Sequence, residues 1–162
     1  MINSFLQLDG VEGESIAVFH KGDIELIDWD WGVTNSAPLE LKSDVSSHTK
    51  GEDLSITKGI DTASKTLIQK CALGTHIPRG RLVCQKNEGS DDKFAYLVIE
   101  FEDMKVMSVK ADKGGDNNVK TESVQFKYSK FKISYVKQLN SGDATISGYM
   151  DFGFDIPHHV EF

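Results

Sequence analysis

Along most of the chain, apolar side chains alternate with polar ones at a period of two, the signature of half-buried strands. Near the C-terminus Ile146, Met150, Phe152, Phe154 and Ile156 share one parity, while Tyr149, Asp151 and Asp155 share the other. That pattern predicts a strand with one buried and one wet face. Gly148 interrupts its apolar side, where another backbone can pass close. An earlier strand carries Ile27, Trp29, Trp31 and Val33 on one face; Ile24 and Leu26 begin the opposite face, and Asp28 and Asp30 continue it. The tryptophan face is expected to enter the core, which turns the aspartates toward solvent.

Val124, Phe126 and Tyr128 alternate on even positions, and Phe131, Ile133 and Tyr135 on odd ones. The phase slips by one around Ser129 and Lys130, as a β-bulge would make it do, so Thr121 to Lys137 reads as one long bent strand. Phe94 to Phe101 is apolar on both parities and predicts a strand covered on both faces. Shorter strands are expected at Phe5 to Leu8, Leu54 to Ile60 and Leu82 to Lys86. The period changes once. Ala63, Leu67, Ile68, Cys71 and Ala72 recur at helical spacing, with Asp61 or Thr62 able to cap the start and Gly74 the end. Asn35 to Asp53 and Ala111 to Lys120 read as loops, the second marked by Gly114, Gly115, Asn117 and Asn118. The fold class is therefore mainly β: a single β-barrel domain over residues 1–162, with one flanking α-helix and an extended loop, because closing a sheet removes its edges.

Composition narrows the function. The chain has 162 residues and a formal net charge of −7, which fits one domain and argues against nucleic acid and anionic membranes as partners. No stretch approaches the ~20 apolar residues of a membrane helix, so membrane insertion is not expected. No cleavable leader is recognisable at the N-terminus, which points to synthesis in the cytoplasm and to any export by a leaderless route. Cys71 and Cys84 are too few for a disulfide framework and read as buried, reduced thiols.

Catalytic patterns are not found: there is no nucleophile elbow, metalloprotease helix or phosphate-binding loop. His158, His159 and Glu161 lie close in sequence, but adjacent side chains on an extended segment point apart, so a solvated tail is expected rather than a metal site. Cys71 or Cys84 with His76 would be a nucleophile pair only if the fold brought them together, and both cysteines read as core. Glu12–Gly13–Glu14–Ser15 reads as a turn, with cation binding by its two carboxylates the less favoured alternative. No catalytic residue, cofactor or metal is assigned.

The order of segments carries more information than any one of them. DGVEGES follows the first strand, then come IELIDWDWG, a long loop, LSITKGIDTASKTL, CALGTH, TESVQFKYSKFKISY and a final GYMDFGF. This series resembles the haemolysin-coregulated protein (Hcp) family of type VI secretion along nearly the whole chain. Two departures stand out. Lys65 follows Ser64 where the family often has proline, and Ser43 to His48 replaces a glycine-rich stretch.

The resemblance implies a β-barrel that assembles with itself into hexameric rings. Those rings stack into a hollow tube inside a contractile sheath, carry small effectors in the bore and are fired with a spike. The protein would then be cytoplasmic before firing and secreted afterwards. On that reading Leu39, Leu41 and Val45 of the long loop are the candidate ring-stacking anchors, and Asp30 is the candidate bore-facing residue. The rivals are a monomeric barrel that binds a small apolar ligand and a hydrolase whose site only the fold would reveal.

Overall fold

The computed structural model describes residues 2–40, 45–86, 94–112, 120–136 and 150–162. Its strands are β1 (Ile2–Leu8), β2 (Ile24–Leu26), β3 (Asp28–Asp30), β4 (Val33–Asn35), β5 (Thr49–Gly51), β6 (Leu54–Gly59), β7 (His76–Lys86), β8 (Phe94–Ala111), β9 (Thr121–Lys127), β10 (Lys130–Tyr135), β11 (Met150–Asp155) and β12 (Val160–Glu161). One helix, α1 (Thr62–Leu73), lies between β6 and β7. All the pairings are antiparallel. They run β12-β11-β10-β8-β7-β1-β2 along one path, and β3, β6 and β9 return from β2 to the far half of β8. The circuit β8-β7-β1-β2/β3-β6-β9-β8 thus closes on itself. β10, β11 and β12 extend from it as a flap.

Closure depends on a strand that changes partners. β2 pairs with β1, whereas β3 pairs with β6. Between them the Ile27 N–H donates to the Thr57 carbonyl at 2.8 Å. The bend inverts the alternation. Ile24 and Leu26 are buried, Ile27 is 64% exposed, and Trp29 and Trp31 pack on the core from the next parity. The expectation that Ile27, Trp29, Trp31 and Val33 share one buried face is therefore corrected: Val33 belongs to β4, which is exposed throughout.

The Thr121 to Lys137 strand is likewise divided, with Lys137 outside the described residues. β9 and β10 lie end to end along β8 in one register, Lys127 opposite Lys105 and Lys130 opposite Glu102. At the junction both strands switch buried parity together: Met104 and Val106 face inward beyond it, Phe101 and Ile99 before it. Asp103 stands at the switch with φ +53°, and its carboxylate accepts from Ser129 Oγ at 2.8 Å. In the β8–β9 pairing the register shift sits on β8 between Val106 and Ser108.

Two further expectations change. On α1 the buried residues are Ala63, Ser64 and Leu67; Ile68 is 53% exposed and Ala72 is exposed, so the apolar stripe is narrower than its spacing implies. On β11 only Phe154 of the apolar parity is buried, while Met150 and Phe152 are 59% and 43% exposed. The flap carries these two past the barrel's own core. Ile146, Gly148 and Tyr149 lie outside the described residues, as do Gly114, Gly115, Asn117 and Asn118. β8 is longer than its apolar segment, and Val98 and Ile99, on opposite faces, are both buried as expected.

Candidate assembly surfaces

Two of the segments quoted above, LSITKGIDTASKTL and TESVQFKYSKFKISY, meet in one buried network. Lys58 is fully buried, and its ammonium shares its three N–H groups among four oxygens: Glu122 Oε1 at 2.5 Å, Asp61 Oδ1 at 2.8 Å, the Gly59 carbonyl at 2.9 Å and Ser64 Oγ at 3.2 Å. Ser64 in turn donates to Glu122 at 2.6 Å. A buried charge is tolerated only when paired and hydrogen-bonded in this way. The same residues cap α1: Asp61 accepts from the Ala63 N–H, and Ser64 Oγ accepts from the Asp61 N–H. The network therefore fixes the helix start to β6 and β9 at once. Sequence reading found the cap but missed the lysine, which ordinarily would be solvated.

The segment Glu12 to Ser15 doubles back on the start of β2. Gly13 N–H donates to the Gly22 carbonyl, and Ser15 N–H to the Asp23 carbonyl. A Cβ at Gly13 would lie 2.7 Å from the Asp23 carbonyl carbon, so only glycine fits this approach. Glu12 to Ser15 is thus an extended stretch paired with Gly22 and Asp23 rather than the expected turn, and the chain reverses beyond it, at residues 17–19.

The long loop is an arm. β4 and β5 form a separate two-stranded ribbon, with a short 3-10 turn at Val45–His48 before β5. Its base is clamped by Tyr128, whose hydroxyl receives the Trp31 indole N–H and donates to the Glu52 carbonyl at 2.8 Å. Burial pushes this phenol up to about 12. Of the candidate stacking residues, Leu39 is 99% exposed and Val45 40% exposed on the arm; Leu41 lies outside the described residues. Asp30 is exposed, pairs with Ser55, and sits opposite the inward Trp29.

The outer face of β7, β8, β10 and β11 carries charge in alternating columns. Arg79 lies across from Glu102, Glu102 from Lys130, and Lys130 from Asp155; Arg81 lies across from Glu100, and Glu100 from Lys132. The ion pairs are long, from 3.5 Å for Lys130–Asp155 to 4.0 Å for Arg81–Glu100, and mostly exposed. Neighbouring columns of opposite sign cancel one another's field, so this face is wet and nearly neutral on a strongly acidic chain.

The residues screened for chemistry do not form a catalytic group. Cys84 is buried, and burial pushes its thiol up, away from reactivity. His76 is held by Asp103 at 2.6 Å on the surface, and His158 by Asp155 at 2.9 Å. The His76 and Ser129 hydrogen bonds hold the Asp103 carboxyl below its ordinary value of 3.8. Ser129 donates to Asp103 rather than to a histidine, and a carboxylate held below its ordinary value is too weak a base to activate that hydroxyl. Among the described residues no three histidine, cysteine or acidic side chains gather as metal ligands.

The described residues thus form a barrel filled by its own core, with an anchored arm and exposed apolar side chains on a flap. A family profile described as "Type VI secretion system effector, Hcp" matches residues 5–135. The chain is 27% identical over 161 residues to protein hcp1 of Pseudomonas aeruginosa, covering 99% of this chain and 98% of that one. It is similar to the solved structure of a type six secretion system protein, with a TM-score of 0.85 and 26% identity over the whole of both chains. It also resembles Hcp1 of Salmonella typhimurium, with a TM-score of 0.79 and 29% identity over 99% of each. The chain belongs to the Hcp family: it is a type VI secretion tube protein with the mainly β fold of that family.

Proposed function

We propose that this single-domain protein assembles with itself into hexameric rings that stack into a hollow tube. The tube works with a sheath and a spike and carries small effectors in its bore. It is cytoplasmic until firing and secreted thereafter. The observation that carries this reading is the pairing of a filled barrel with apolar side chains left in solvent. Ile16, Val18 and Phe19, at 92%, 61% and 82% exposure, gather apolar surface on one turn, as a site for a partner would. A ring is a head-to-tail contact that closes by rotation and needs two unlike faces on each copy.

Leu39, Leu41 and Val45 are the proposed stacking anchors, since rings of equal negative charge repel and adhesion must be local and apolar. Asp30 is the proposed bore-facing residue. Replacing the three arm residues with serine should leave rings intact and abolish stacking; tubes of normal length from that variant would reject the anchors. The monomeric ligand-binding alternative has little room: Leu6, Ile24, Ile56, Leu82 and Phe126, all at or below 1% exposure, fill the barrel. Light scattering on the gel-filtration peak separates the two readings. A mass several times 18.0 kDa supports the tube subunit, and 18.0 kDa itself supports the rival.

A further inference from the structure

Phe19 stands at the third position of a turn closed by the His20 N–H donating to the Ala17 carbonyl at 3.0 Å. Its φ is +69°, a conformation that glycine or asparagine adopts readily and a bulky side chain does not. The ring is 82% exposed, so the fold of one chain gains little from it. Ile16 at 92% and Val18 at 61% exposure flank it.

The base of this turn, by contrast, is rigid. His20 is 5% exposed and stacks parallel on Phe5 at 4.2 Å. Its Nδ1 bonds the Asp23 carboxylate at 2.8 Å, which leaves Nε2 to accept from the Gln85 amide at 2.5 Å. Gln7 also donates to Asp23, at 3.0 Å. A strained aromatic held outward on a fixed base has the character of an interface anchor.

The surface that suits it lies on the flap that leaves the barrel at β8. On the flap, the barrel-side face of β10 and β11 runs out from under the core. It leaves Tyr135, Met150 and Phe152 at 38%, 59% and 43% exposure, with Tyr135 directly across from Met150. The Phe19 turn precedes β2, and three pairings separate β2/β3 from β8 in either direction around the closed circuit, so the turn and the flap that leaves β8 belong to opposite sides of the barrel. Two unlike apolar patches on opposite sides of one barrel are what a head-to-tail contact between copies requires.

We infer that Phe19, flanked by Ile16 and Val18, is the anchor that seats on the exposed Tyr135–Met150–Phe152 face of a second copy of this chain. This rests on the ring reading above and names its lateral contact. Phe19→Gly removes the ring and the backbone strain together. The full-length variant should melt at the same or a higher temperature as a dissociated chain, while its self-association weakens at least about tenfold in sedimentation equilibrium. Phe19→Asp and Met150→Asp should each fail to assemble alone. Mixed in equal amounts they should form a heterodimer and nothing larger, because one sound contact remains between them.

Assembly of Phe19→Gly at wild-type strength, a lowered melting temperature for that variant, or no heterodimer on mixing would each overturn the contact and leave the ring reading standing. A wild-type chain that stays monomeric at every concentration would remove both.

Discussion

Replacing Lys58 with methionine tests whether the buried network holds the barrel to its helix. The side chain is fully buried and Glu122 is 3% exposed, so water cannot enter to solvate a carboxylate left without its cation. Methionine matches the lysine stem in volume, so packing changes little and the lost charge dominates. Glu122 would keep only the Ser64 hydroxyl, at 2.6 Å, while Asp61 would keep its capping bond from Ala63. Breaking a buried pair from one side costs about 3–5 kcal/mol, a large part of the ~5–15 kcal/mol that holds a typical domain together. At ~2–4 °C per kcal/mol for a chain of this size, the melting temperature should fall by roughly 6–20 °C.

Urea unfolding followed by tryptophan fluorescence, at concentrations where the chain is dissociated, measures the change. Adding Glu122→Leu to Lys58→Met removes the stranded charge and should recover at least about half of the loss. A loss under about 1 kcal/mol for the single variant, or a double variant no better than the single, would refute the network's role.

Three other perturbations follow from the geometry. Tyr128→Phe strands the Trp31 indole N–H and the Glu52 carbonyl at the base of the arm; it should destabilise the chain by about 1–3 kcal/mol, read from urea unfolding, with faster hydrogen exchange in β4 and β5. Gly13→Ala drives a methyl onto the Asp23–Ile24 peptide, where contacts of 2.7 and 2.8 Å await it; a loss of about 2 kcal/mol or more is expected from the same titration. Asp103→Asn keeps a residue type that tolerates φ +53°, but it removes a carboxyl whose folded pKa lies below its unfolded 3.8. The wild-type advantage should be present above about pH 4 and vanish as pH falls through 3.8 and below. A difference in melting temperature that is constant from pH 6 to pH 2 would contradict it.

The legible parts of the fold were those where local pattern and tertiary environment agree. Asp61 and Gly74 bounded the helix because caps are local chemistry. The slip at Ser129 showed in the alternation, but its cause did not. Asp103 opposite it switches parity at the same level, and only a paired strand reveals a shared bend. Ile27 misled for a related reason. Apolar residues on alternating positions read as one strand, while the barrel closes by bending there and exchanging β1 for β6. Lys58 was invisible as a buried group because its partner Glu122 is 64 residues away. Met150 and Phe152 carried a core pattern and ended in solvent, because the flap runs past the barrel that would have covered them. Leu39 and Val45 on the arm and Asp30 on β3 lie on exposed surfaces, as their proposed roles require.

Electron microscopy of the purified chain reaches the central claim most directly. The account predicts annular particles with six-fold symmetry and an open centre, some stacked end to end. Featureless particles the size of one 18.0 kDa barrel, at concentrations where neighbours collide freely, would contradict it.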